Sequence, residues 1–263
     1  MNAPMTDVPP ASRAPATVRL WRCHLLDAKC ELLRLLREPM YVIPTLLFPA
    51  LFYAMFGLLL GARGSAGAAL YLLATYGVFG AMGAGLFGFA VTLAIDRERG
   101  FFALRRALPA PPGAWVVARM AMAMLFALVI VLELAVLAVA FGGVSLAPAQ
   151  WALLWLVTVP GVLPFCAIGL YIGSLASANA APAIVNLLFL PMAFLSGLWL
   201  PLSMLPDVFA QLAPLWPAWH LAQLALWATG QPTAQPPWLH LLVLAAMGGA
   251  CFVLAARRLS RAG

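Results

Sequence analysis

The chain has 263 residues, 65% of them hydrophobic and only 9% charged, with a net charge of +7. A soluble domain carries roughly a quarter charged residues, so this composition excludes one and predicts an all-α polytopic membrane protein. A bilayer core of about 30 Å takes roughly 20 apolar residues per crossing, so about six crossings use up the length and leave no second enzymatic domain.

Residues 1–16 are rich in Pro, Ala and small polar residues without apolar periodicity, and are expected to be a disordered cytoplasmic tail. Residues 1–41 hold no uninterrupted apolar core ending in a small-residue cleavage site, so no cleavable signal peptide is expected. From 17 to 38, Trp21, Leu25, Ala28, Leu32 and Leu35 recur at spacings of four and three, flanked by Arg19, Arg22, Lys29, Arg34 and Arg37. That pattern predicts an amphipathic interfacial helix. Six spans are expected next, at about 42–60, 70–95, 116–141, 151–175, 182–202 and 238–256, the whole of 17–263 forming a single membrane domain. Glycines 77, 80, 83, 85 and 88 in the second span suit close helix approach better than a nucleotide loop. Only Arg119 and Glu133 place charge inside a span. Arg119 lies within a turn or two of the preceding loop and is expected to snorkel to the surface. Segment 203–230 is apolar but interrupted by Pro206, Pro214 and Pro217, which predicts short re-entrant helices.

Basic residues fix the expected topology. Six precede the first span, Arg63 stands alone in the first loop, four lie in the second, none in the next three, and Arg257, Arg258 and Arg261 follow the last. The positive-inside rule then puts both termini and the 96–115 loop in the cytoplasm, which six crossings satisfy. The basic charge is therefore read as topology and not as a nucleic-acid surface.

Few chemistries fit. The only lysine is Lys29, far from any glycine-rich phosphate cradle, so no P-loop is present; H-E-x-x-H and G-x-S-x-G are absent too. His24, His220 and His240 are isolated in sequence, and the four cysteines form no close pair. No catalytic residue and no metal ligand is expected. Glu133 admits two readings, a protonated carboxyl bonding a neighbouring helix or a substrate or proton contact. In the loop "DRERGFFALRRALPAPPGAW", Phe101, Leu104 and Leu108 share a face if 98–108 is helical, with Pro109, Pro111 and Pro112 ending the helix. Such a turn suits either docking into another protein's groove or a loop whose arginines merely hold topology.

Two stretches carry a resemblance. "DRERGFFALRRALPAPPGAWVVAR" is similar to the second-to-third-span loop of type-2 ATP-binding-cassette (ABC) exporter permeases, with Glu98, Arg99, Gly100, Leu104 and Pro109 at the pattern's positions. Phe101 and Phe102 depart from it, standing where small or polar residues and a glutamate are usual. "FLSGLWLPLSMLPDVFAQLAPLWPAWHLAQL" resembles the family's fifth-span and re-entrant signature through Phe194, Ser196, Gly197, Pro201, Leu202, Leu205, Pro206, Pro217 and His220. The resemblance implies a multi-pass half-transporter of the cytoplasmic membrane that exports an amphipathic or hydrophobic small molecule. It pairs with a second permease copy, identical or related, and with a soluble ATPase subunit that holds ATP and Mg, this chain having no cofactor. The loop would be the coupling element, through Glu98, Arg99, Gly100, Phe101, Leu104 and Arg105. The substrate path would involve Glu133, Phe194 and Ser196, and Gly197, Pro201, Pro206, Pro217 and His220 would shape the re-entrant motif. Two other classes remain: a proton-coupled secondary transporter using Glu133, disfavoured because no internal repeat is visible, and an intramembrane enzyme, which lacks a recognisable nucleophile.

Overall fold

A computed structural model describes residues 16–60, 66–107, 113–233 and 235–261, with the side chains of 16–21, 35, 59, 60, 66 and 106 excepted. The tail 1–15, Arg63, Leu108 and Pro109, Pro111 and Pro112 lie outside the described residues. Every regular element among the described residues is helical. The centre is α3 (Ala66–Glu98), 33 residues long, around which α2 (Pro39–Phe52), α5 (Ala114–Ala140), α7 (Leu163–Leu175), α8 (Ala181–Leu195) and α10 (Pro217–Ala228) pack. Two-thirds of its apolar stretch is buried within the protein, against about a fifth for the first and last long helices. The outer helices thus keep their apolar faces for lipid.

Glycines allow this packing. A Cβ at Gly169 or Gly173 of α7 would fall 2.8 Å from the Leu86 carbonyl and 2.7 Å from that of Ala90, both on α3. One at Gly85 would come within 3.0 Å of Val162 and Cys166. The glycine series expected to pack helices does so, and α3 and α7 meet backbone to backbone.

Among the described residues, five helical stretches are long and apolar enough to cross a membrane: Pro39–Leu58, Gly67–Glu98, Ala114–Ala140, Pro148–Leu175 and Pro237–Arg261. The first starts as α2, with Pro44 and Pro49 inside it, and continues as a π-helix over Tyr53–Leu60. The fourth joins α6 (Pro148–Thr158) to α7 through a 3-10 turn at Pro160–Val162, because Pro160 has no amide proton for the ladder. The last is α11 (Pro237–Arg261). Where a span over 182–202 is expected, α8 stops at Leu195 after 15 residues. Gly197 ends it at φ +74°, a left-handed cap that a glycine adopts without steric cost, and Tyr71 donates a 2.7 Å hydrogen bond to its carbonyl.

The proline-rich segment becomes a 3-10 turn (Leu202–Met204) after Pro201, α9 (Asp207–Leu212) after Pro206, a 3-10 turn at Ala213–Leu215, and α10 with Pro217 at its first position. Each proline sits where its missing donor is not needed. The interfacial helix is α1 (Ala16–Leu36). Leu25, Leu26, Leu33 and Leu36 are exposed on it, while Asp27, Glu31 and Arg34 turn toward the bundle. A helix whose acidic groups face protein and whose leucines face outward fits a membrane surface.

Candidate functional site

Gly100, at φ +73°, breaks the chain out of α3 and starts α4 (Phe101–Ala107), shorter than the helix expected over 98–108. Leu104 is 61% exposed and Arg99 is exposed, whereas Phe101 is half-buried. Phe102 packs edge-on against Trp115 at the start of α5, with ring centroids 5.3 Å apart. Arg105 lies over the Phe101 ring at 5.2 Å and donates to Asp27 of α1 at 2.6 Å. Glu98 accepts a 2.8 Å hydrogen bond from the Ala178 amide in the turn before α8, and Arg97 donates to the carbonyls of Ser174 and Ala176. The charged loop thus divides. Glu98 and Arg105 brace α4 against the bundle, and Arg99 and Leu104 remain outward.

Beneath α4 lies a network that corrects the snorkelling expected of Arg119. Its side chain is buried, the residue being 4% exposed, and its Nη2 donates to Asp96 at 2.7 Å and to Glu31 at 2.9 Å. Arg34 donates to the same Asp96 oxygen at 3.0 Å, and Trp115 lies under the Arg119 guanidinium at 5.3 Å. Two carboxylates hold Arg119 inside, so its long stem has no reason to reach for the surface. Burial by itself would lower the Arg34 pKa, but the hydrogen bond and charge of Asp96 outweigh it and leave the pKa raised. The network joins α1, α3 and α5. The sequence signal for it was Glu31 and Arg34, three apart and therefore on one face of α1.

A cavity of about 430 Å³ lies among α2, α3 and α8. Its wall includes Phe52, Phe79, Phe189 and Trp199, with Thr45 and Asn186 as polar groups. Phe52 stacks on Trp199 at 6.1 Å, and Phe79 meets Phe189 at 5.0 Å. An aromatic wall with a few polar atoms suits an apolar or amphipathic ligand. Glu133 is half-buried on α5, and neither it, Phe194 nor Ser196 lines this cavity. Phe194 touches the lining Trp199 edge-on at 6.5 Å, and Ser196 is buried at the end of α8. Asn186, an uncharged amide in an apolar run, was the sequence signal for the cavity. His220 and His240, isolated in sequence, do not line this cavity but meet each other between α10 and α11, with Nδ1 atoms 2.9 Å apart.

Among the described residues, five long apolar helices packed about a buried central helix fit a multi-pass membrane protein. The chain belongs to the ABC-2 type transporter family, whose model matches residues 26–229. It is 27% identical over 221 residues to the "Putative transport permease YvfS" of Bacillus subtilis (strain 168), an alignment covering 82% of this chain and 88% of that one. Membership in this family implies partnership with an ATP-binding subunit.

Proposed function

We propose that this chain is the permease subunit of an ATP-driven exporter that moves an amphipathic or hydrophobic small molecule, a drug or a lipid-linked compound, across the cytoplasmic membrane. ATP and Mg bind a separate nucleotide-binding subunit, and two permease copies, identical or related, enclose the path. The observation that carries the reading is α4. Arg105–Asp27 ties it to α1, and Glu98–Ala178 anchors the end of α3 from which it departs, while Leu104 and Arg99 stay outward. A push on α4 reaches α3 directly and α5 through the Phe102–Trp115 contact. The aromatic cavity on α3 supports the substrate class. The basic residues at both chain ends and beside α4 support six crossings with cytoplasmic termini. Alpha-helical rise gives α8 about 22 Å, so the sixth crossing needs the turn after Gly197 to complete it.

The test is copurification. Leu104→Glu with Arg99→Glu leaves the buried contacts intact, so the expected outcome is an unchanged yield of permease and a loss of about tenfold or more in ATPase subunit recovered with it. Undiminished recovery contradicts the assignment of α4.

A further inference from the structure

At the end of the bundle opposite the charged network, His220 on α10 and His240 on α11 are 4% and 1% exposed. His220 Nε2 lies 2.9 Å from the Pro214 carbonyl, and its Nδ1 lies 2.9 Å from Nδ1 of His240. A carbonyl only accepts, so neutral His220 carries its proton on Nε2 and offers a lone pair at Nδ1; His240 must then donate from Nδ1. His240 Nε2 is left as a buried lone pair with no hydrogen-bond partner among the described residues. The fold therefore fixes both tautomers.

We propose that the His220–His240 pair is a proton-binding site that latches the re-entrant helix α10 to the last long helix α11. Proton uptake has one consequence whichever ring takes the charge. If His240 is charged, its Nε2 carries the new N–H. If His220 is charged, its Nδ1 donates, His240 must accept at Nδ1, and the His240 proton moves to Nε2. In both cases one N–H forms at the expense of solvent hydronium, and His240 Nε2 changes from acceptor to donor. A second proton sets two Nδ1–H groups against each other and breaks the bond between the rings.

Among the described residues, no acidic side chain stands beside the pair to offset that charge. Trp219 lies edge-on to both rings, at 4.9 and 5.3 Å. Of the elements packed on α10 and α11, α6 and the Ala213–Leu215 turn carry no titratable side chain, α3 brings Tyr71 and Tyr76, and α7 brings Cys166 and Tyr171. Asp96 and Glu98 are at the far end of α3. On α11, Cys251 is the nearest titratable group, and Arg257, the first arginine, lies 17 residues beyond His240, about 25 Å along the helix. A donor and a positive charge with no acceptor are relieved when α10 parts from α11 and solvent enters. The inference goes beyond the transport reading and does not rest on it.

The full chain in lipid nanodiscs, with any subunits that copurify, tests this. It contains three histidines, so 15N-histidine labelling with His24→Gln to identify the third resolves both rings. At about pH 8 the expected tautomers are Nε2–H for His220 and Nδ1–H for His240. Between about pH 8 and 5, hydrogen exchange in 217–228, corrected for its intrinsic pH dependence, should rise about tenfold or more while 74–90 of α3 stays unchanged. His240→Gln keeps an amide donor toward His220 but binds no proton, and should hold 217–228 protected at both pH values. Nε2–H tautomers on both rings, or no rise in exchange in the unmodified chain, would overturn the proposal whether or not the variant folds. An equal rise in His240→Gln would do the same.

Discussion

Arg119 is the side chain on which the charged end of the bundle turns. It is nearly surrounded by protein, with Glu31 and Asp96 both on one of its nitrogens. Removing one partner from a buried pair costs about 3 to 5 kcal/mol where the other charge is left without compensation; here Asp96 keeps Arg34, so the carboxylate stranded by losing Arg119 is Glu31. Arg119→Leu should therefore lower the thermal midpoint of the detergent-solubilised protein, and the double variant Arg119→Leu with Glu31→Gln should recover part of the loss. Asn186 makes a contrasting case, exposed toward the cavity and outside the packed core. Asn186→Leu should leave the midpoint within about 0.5 kcal/mol of the parent and shift preference between apolar and hydrogen-bonding substrates by about tenfold in competition transport assays. The role of Arg119 was not evident from its position in the chain. An arginine one or two turns into a span can snorkel or pair inward, and only the placement of α1 decides, because that helix brings in Glu31. Glu98 and Arg105 were legible as part of a special loop, but not as its braces. Their partners, Ala178 and Asp27, lie 80 and 78 residues away.

Elements were more legible than contacts. The apolar runs locate α2, α3, α5, the α6–α7 pair and α11 within a few residues, since membrane helices have to be long and apolar. The prolines locate the breaks at Pro206, Pro214 and Pro217. The stop of α8 at Leu195 escapes a hydropathy reading because the sequence after Gly197 stays apolar; the signal is the glycine itself, which ends the helix by its left-handed backbone. At this scale the α3–α7 seam is the vulnerable one. Gly173→Val would set a branched side chain against the Ala90 carbonyl, 2.7 Å from the Cβ position, and force the two helices apart at a cost of about 1 to 3 kcal/mol or more. Gly249→Ala on α11 meets nothing within 4 Å and should stabilise by about 0.5 to 1 kcal/mol through helix propensity. Unfolding of the two variants side by side in the same detergent checks both signs.

For the whole molecule, the arrangement separates two jobs along α3. One end carries Asp96, α4 and the ion network that ties them to α1 and α5; the middle faces the aromatic cavity; the other end meets α10. In the function proposed above, a displacement of α4 would act on the helix that lines the cavity, as a transporter driven by an external ATPase requires. The central claim, ATP-driven transport coupled through α4, is tested most directly by flux of a fluorescent amphipathic substrate in proteoliposomes. These would hold the chain and the ATPase subunit that copurifies with it, at equal pH on both sides. The account predicts flux that needs ATP and Mg, falls about tenfold or more with Leu104→Glu plus Arg99→Glu, and persists with Glu133→Gln. Flux that runs on a pH gradient without ATP and disappears with Glu133→Gln would contradict it.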